Sequence, residues 1–299
     1  MKKIVVAPDS FKGSLTSAEV ADAVERGIKD VFPQCNVVKA GVADGGEGTV
    51  EAIVKAVGGA MYAASVTDPL GRPVKATYGI VRSGGVKTAV MEMSAASGLP
   101  LLLPDELNPW ITSTYGTGEM ISDALNRGCR KFLVGIGGSA TNDAGTGMLS
   151  ALGVRFLDSS GQRLKGCGRD LESIARIDMS SLIPAARESE FIVACDVNTP
   201  FCGPDGAARV FAPQKGANPQ TAEALDRGMR SFARVIAGQF QTDIVPLSGA
   251  GAAGGLGGAF KAFLNARLTA GIEMVLDAIA FDSLLEGADL VITGEGRID

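Results

Sequence analysis

An apolar run at residues 4–7 is followed by a polar loop and by T-S-A-E at 16–19, after which Val20, Val24, Ile28 and Val31 recur at helical spacing. Thr16 and Glu19 stand three apart, the spacing at which a hydroxyl and a carboxylate satisfy each other's free helix-start amides. The pattern therefore predicts a strand, a loop and a capped helix. The same form repeats with a strand near 37–40, a glycine loop at 44–48 and a helix carrying Val50, Ile53, Val54 and Val57 on one face. Between 61 and 93 the period changes to two. YAASV, VKATYGIV and TAVMEM alternate around D-P-L-G-R-P and R-S-G-G, which predicts an inserted piece of antiparallel strands and turns. Helical spacing returns after Thr117 with Ile121, Ala124 and Leu125, stops at Gly128, and yields to the strand KFLVGI and a helix with Met148, Leu149 and Leu152 that Gly153 closes. A strand at 191–195, a helix with Leu225, Met229, Phe232 and Ile236, a glycine run at 249–258 and a strand at 290–293 complete the pattern.

Strands and helices in alternation mark an α/β protein with mostly parallel strands. The length of 299 residues exceeds one domain of about 150 residues. The expected division is a first domain at 1–60 plus 281–299, incomplete, and an inserted α/β domain with a mixed sheet at 61–280. The last strand runs into a glycine turn with no helix after it, although parallel strands need crossovers to cover their faces. The expectation is that a C-terminal part is missing.

Composition narrows the function. A formal net charge of −5, no Lys/Arg cluster longer than two and few aromatics argue against a binder of nucleic-acid phosphates. The start MKKIVVAPDS is too briefly apolar for an export signal, and no window reaches 18 apolar residues without a charge or glycine, so neither secretion nor a membrane span is expected. Cys35, Cys129, Cys167, Cys195 and Cys202 are scattered without a C-x-x-C pair and read as reduced thiols of a cytoplasmic protein. Histidine is absent, so any proton transfer falls to a carboxylate, lysine or tyrosine.

Glycine is the outlier, at 40 residues, about twice the usual ~7%. PDSFKGS, ADGGEGT, GGSATND, CDVN and TGEGRID each fall at the end of an expected strand, where open α/β sheets hold ligands. Glycine lets backbone approach a phosphate closely, and helix N-termini supply partial positive charge. Asn142 and Asp143 suit a metal or a substrate hydroxyl, or else cap the next helix. Lys12, Lys215 and Arg297 are glycine-flanked cations that either reach an anion or lie solvated on the surface. Asp9, Asp44, Glu47, Asp196 and Glu295 are acids at strand ends, with turn capping as the alternative. Glu92 reads as a strand residue on a wet face.

A dinucleotide fingerprint competes for one of these loops. Residues 135–140 fit G-x-G-x-x-A with Asp158 eighteen residues beyond the last of them, yet 249–254 fit G-x-G-x-x-G as well, with Glu273 following. A Walker loop and an H-R-D catalytic loop are both absent.

APDSFKGSLTS, VADGGEGTVEA, TDPLG, STYGTGE, IGGSATNDAGTGM, ACDV, PQKGA, SGAGAAGGLGGA and TGEGRID, in this order, resemble the bacterial glycerate kinase family that includes the glycerate 2-kinases. The resemblance covers essentially the whole chain. It implies two α/β domains facing a cleft, a Rossmann or flavodoxin-like parallel sheet plus an inserted mixed-sheet domain, and ATP-dependent phosphorylation of D-glycerate at the 2-hydroxyl with Mg²⁺. The roles expected with it make Asp9, Lys12 and Asp196 catalytic, with Asp9 taking the hydroxyl proton. Ser10, Ser14, Lys215 and Arg297 would bind substrate. Gly137, Gly138, Ser139, Thr141, Asn142, Gly249 and Gly251 would cradle the nucleotide, and Asp44, Glu47, Asp143 and Glu295 would hold the metal, with Asp196 as another acid that could orient it. Phosphorylation at the 3-hydroxyl, an NAD-dependent dehydrogenase and a non-enzymatic sensor of a small acid or nucleotide are the alternatives, and a homo-oligomer stays open.

Overall fold

The computed structural model describes residues 2–11, 14–43, 45–46, 48–83 and 85–296. Strand β1 (Lys3–Pro8) is buried along most of its length, as its apolar run requires, and leads to helix α1 (Ser17–Val31). The Thr16 hydroxyl accepts from the Glu19 amide at 3.3 Å and the Glu19 carboxylate accepts from the Thr16 amide at 2.8 Å, the expected capping box. Next come β2 (Asn36–Lys39) and α2 (Thr49–Val57), whose face with buried Val50 and Ile53 packs on the β4 and β5 strands defined below. Burying a side chain the size of Ile53 is worth about 1.5–3 kcal/mol.

The region that alternates with period two forms β3 (Ala60–Thr67), β4 (Pro73–Ser83) and β5 (Val86–Glu92). After the short α3 (Ser94–Ser97), α4 (Tyr115–Asn126) runs into β6 (Lys131–Gly135). Then follow α5 (Thr146–Ala151), β7 (Arg155–Leu157), β8 (Arg176–Asp178), α6 (Pro184–Arg187) and β9 (Glu190–Ala194). The last part contains α7 (Ala207–Phe211), α8 (Pro219–Phe240), α9 (Ala252–Leu264), β10 (Arg267–Thr269), α10 (Gly271–Ala278), α11 (Phe281–Leu285) and β11 (Leu290–Gly294).

Two larger sheets and the two-stranded antiparallel pair β7–β8 organise these elements. A parallel three-stranded sheet has the order β11-β1-β2, and a mixed six-stranded sheet has the order β10-β9-β6-β5-β4-β3. In the second, β10, β9, β6 and β5 run parallel while β4 and β3 are antiparallel. The piece expected as an antiparallel insertion is therefore continuous with the parallel strands, because Thr88–Glu92 pair in register with Lys131–Gly135. One apolar layer, with Phe132, Phe191, Phe232 and Phe260, lies under α4, α5, α8 and α9. A second, with Ile53, Val90, Leu133, Met274 and Val275, lies between the sheet and α2 and α10.

The glycine run at 249–258 is not an open loop but enters α9. Ala253, Gly254 and Gly255 take left-handed backbone, with φ of 52°, 69° and 94°. A Cβ at Gly254 would overlap the Thr141 carbonyl, and one at Gly251 would overlap the Pro200 carbonyl. Glycine serves here for close backbone packing.

Candidate active site at the strand tips

The tips of β6 and β9 lie side by side in register, Gly135 beside Ala194, and the chain leaves both for loops on one edge of the sheet. The 45–46 segment crosses them so closely that a Cβ on Gly45 would meet Ala194 Cβ at 2.7 Å and Gly271 Cα at 2.9 Å. Under this crossing is a cavity of about 270 Å³, lined by Gly45, Gly46, Gly137–Ser139, Ala194–Val197, Lys215 and Ala253 among others. Gly137 and Gly138 are exposed in its wall, as a loop meant to meet a ligand requires.

Lys215 is only 1% exposed, so the solvated alternative fails for it. Its Nζ donates to Ser139 Oγ at 2.6 Å and to the Thr141 carbonyl at 2.7 Å. Burial holds the ammonium down at about 7, partly offset by the charge of Asp143. Asp196, at the tip of β9, is exposed in the same cavity, and its Oδ1 accepts from the Gly271 amide at 2.9 Å, capping α10.

Asp143 lies behind the loop and has no exposure. Its Oδ2 accepts from the Thr114 amide and hydroxyl, both at 2.8 Å, and from the Gly147 amide at 3.2 Å, while Oδ1 accepts from the Gly145 amide at 3.0 Å. Burial pushes its carboxyl upward against these four donors. These contacts tie α4 to α5 and match the capping alternative of the sequence reading.

A second cavity, of about 700 Å³, opens at the tip of β1 and is lined by Asp9, Ser10, Ser14, Gly48, Lys55 and Glu92 together with apolar Val42, Val50 and Met61. Glu92, expected on a wet face, is half-buried instead, and its Oε1 accepts from the Val50 amide at 3.2 Å in the first turn of α2. Gly45 and Gly46 line one cavity and Gly48, two positions after Gly46, lines the other.

The structure thus brings Asp9, Ser10 and Ser14 into one cavity, and Gly137, Gly138, Ser139, Asp196 and Lys215 into the other. Thr141 and Asn142 are fully buried and line neither; Asn142 Nδ2 points to Met229 Sδ at 3.2 Å. Gly249 and Gly251 are buried against Cys195 and Pro200, and the part of that run that reaches the smaller cavity is Ala252 and Ala253. Glu295 is exposed and lines neither cavity. Lys12, Asp44, Glu47 and Arg297 lie outside the described residues. Lys55, Glu51 and Gln214 carried no sequence signal, because helix and turn residues of these types are normally solvent-facing.

The dinucleotide fingerprints do not survive. Past Gly135 the chain runs as loop to Gly145 before a six-residue helix, so no helix N-terminus stands at the glycines. Asp158 follows β7 in the separate β7–β8 hairpin and caps its own turn through the Ser160 and Gln162 amides. The second match is preceded by no strand, and Glu273 accepts from the Thr269 hydroxyl.

Among the described residues no three Asp, Glu or Cys groups cluster as a metal cage. No helix among them is long and apolar enough to cross a membrane.

The sequence model of the glycerate kinase family matches residues 4–299. A glycerate kinase of Bacillus subtilis (strain 168) is 50% identical over 99% of this chain and 77% of its own length. A glycerate 2-kinase of Escherichia coli (strain K12) is 48% identical over 99% of this chain and 77% of its own. The crystal structure of a Salmonella typhimurium LT2 protein described as a glycerate kinase 2 superimposes with a TM-score of 0.96 at 48% identity, covering 100% of this chain and 79% of that one.

Proposed function

The chain belongs to the glycerate kinase family, and from that premise we propose that it transfers the terminal phosphoryl group of ATP to the 2-hydroxyl of D-glycerate, as a cytoplasmic enzyme. The observation that supports this reading is a pair of strand-tip cavities lined by neighbouring glycines, Gly46 and Gly48, one with a buried ammonium, the other with hydroxyls and carboxylates.

Phosphoryl transfer needs in-line positioning and neutralisation of charge more than covalent chemistry. The glycerate oxygen forms a bond to the γ-phosphorus, the bond from that phosphorus to the β,γ-bridging oxygen breaks, ADP leaves with the electron pair, and the hydroxyl proton passes to a carboxylate. Among the carboxylates of the two walls we assign this role to Asp9 in the larger cavity or Asp196 in the smaller. Ser10 and Ser14 have hydroxyls for a nucleotide phosphate, and the exposed amides of Gly137 and Gly138 can approach the transferred group. Mg²⁺, when bound, neutralises phosphate charge; Asp9 fits it as one carboxylate among phosphate oxygens. Asp143, with four protein donors on its carboxylate, we assign to holding the loop rather than to metal, and Thr141, Asn142, Gly249 and Gly251 to packing.

The test is ADP release by the full-length protein with Mg-ATP, with and without D-glycerate, followed by NMR assignment of the product. Glycerate-dependent ADP and a 2-phosphate are expected. ADP release without dependence on glycerate would refute the activity, and a 3-phosphate would refute the regiochemistry.

A further inference from the structure

We propose that the smaller cavity is the acceptor subsite, in which the Lys215 ammonium and the Ser139 hydroxyl together bind the carboxylate of the three-carbon acid, while the nucleotide occupies the larger cavity. This rests on the kinase reading and adds which cavity takes which substrate.

Charge matching is the first argument. Among the described residues lining the smaller cavity, Lys215 is the one cation, and Asp196 is a carboxylate in the same wall. The larger cavity also has one described cation, Lys55, but beside Asp9, Glu19, Glu51 and Glu92, carboxylates that suit a metal-bound nucleotide, whereas the single charge of a hydroxy acid matches the single buried ammonium of Lys215. Buried ions are tolerable when paired with a matching charge and hydrogen bonds, and costly otherwise.

Size agrees. A volume of about 270 Å³ lies at the lower limit of small-molecule sites, ~300–1,000 Å³, and about 700 Å³ is well inside that range. The smaller cavity suits an acid of three carbons; the larger admits a nucleoside, with Val42, Val50 and Met61 as apolar wall.

Hydrogen bonding also agrees. Two of the three ammonium N–H groups are engaged, by Ser139 Oγ and the Thr141 carbonyl, which leaves one among the described residues. Ser139 Oγ accepts from Lys215, so its own O–H remains to donate. Ammonium and hydroxyl are thus preset beside each other for the two oxygens of one carboxylate. Burial holds Lys215 at about 7, and an arriving carboxylate would restore its full charge. With the carboxylate so anchored, the hydroxyls of the acid share the cavity with Asp196, which favours Asp196 over Asp9 as the proton acceptor.

The experiment is calorimetric titration of D-glycerate into full-length wild type and Lys215→Met, with separate KM values for glycerate and ATP. Losing one partner of a buried charge-assisted contact predicts glycerate binding weakened by about 30-fold or more, with the ATP KM within about threefold of wild type. An unchanged glycerate affinity, or a loss borne by ATP, overturns the proposal. Should Lys215→Met fail to fold by circular dichroism, Ser139→Ala decides: a several-fold loss confined to glycerate supports the assignment, and an unchanged glycerate KM or a loss in ATP refutes it. A wild type without glycerate-dependent ADP release would instead defeat the kinase reading. A wild type that phosphorylates glycerate while the variants keep its KM defeats only this subsite.

Discussion

The Lys215 ammonium donates to the Ser139 hydroxyl across 2.6 Å, and this contact ties the turn before α8 to the loop leaving β6. Holding a lysine at 1% exposure costs several kcal/mol unless the charge is matched. Its two protein acceptors are a hydroxyl and a carbonyl, both neutral, so the fold keeps a cation that an anionic ligand completes.

Glycerate affinity should therefore depend on pH through this lysine. The protonated form binds the acid; with Lys215 near 7 in the free protein, affinity should be level below about pH 7 and fall about tenfold per unit above it until the bound-state value is reached. Asp143 behind the loop and Asp196 and Cys195 in the cavity wall are the other titratable groups facing the lysine, and burial pushes the Cys195 thiol up. Lys215→Met should flatten the profile in this window. Stability has its own sign: the folded value lies below the ~10.4 of a free lysine, so the unfolded chain binds the proton more tightly. The resulting penalty is complete below about pH 7 and is relieved as pH rises toward ~10.4. Urea unfolding of the unliganded protein at several pH values checks this against Lys215→Met.

Replacing Asp143 should cost stability. In Asp143→Asn the amide NH2 would face either the Gly145 amide, at the Oδ1 position, or the Thr114 amide and hydroxyl and the Gly147 amide, at the Oδ2 position, all of which now point at a carboxylate. Leaving a buried donor unsatisfied costs about 1–3 kcal/mol, so a loss of at least about 1–3 kcal/mol is expected by urea titration. A change below ~1 kcal/mol would refute the organising role.

Two glycines separate packing from ligand access. Gly254→Ala forces a Cβ into the Thr141 carbonyl at φ of +69° and should abolish stable folding. Gly137→Ala meets nothing nearer than Gly46 Cα at 4.0 Å and should fold normally, with its loss confined to KM and kcat. Thermal melts and steady-state kinetics on both variants provide the comparison.

How far the sequence reached follows from which residues report locally. The capping box Thr16–Glu19, the strand starts and the period-two region were legible, because capping and alternation are properties of neighbours in the chain. The strand-tip loops were legible as a set, since glycine beside acids or hydroxyls after an apolar run has few other uses. Gly249 and Gly251 pack against neighbouring backbone and line neither cavity, which the sequence does not reveal, because a glycine needed to admit a carbonyl from residue 197 or 200 looks the same there as one needed to admit a phosphate. Glu92 and Lys215 departed from their residue-type averages for the same reason: what buries them comes from segments far away in sequence.

Asp9→Asn and Asp196→Asn distinguish the proton acceptor. If the acid is anchored at Lys215, Asp196→Asn should lower kcat by about 10²-fold or more with the glycerate KM nearly unchanged, and Asp9→Asn should act mainly on the response to Mg-ATP. The reverse pattern would place glycerate in the larger cavity.

The arrangement as a whole is tested most directly by a crystal structure of the full-length protein with D-glycerate and a non-hydrolysable ATP analogue. The account predicts density for the acid between Lys215, Ser139 and Asp196, and for the nucleotide phosphates on the Asp9, Ser10 and Ser14 side of the 45–48 segment. Glycerate bound away from Lys215, or phosphates filling the smaller cavity, would contradict it.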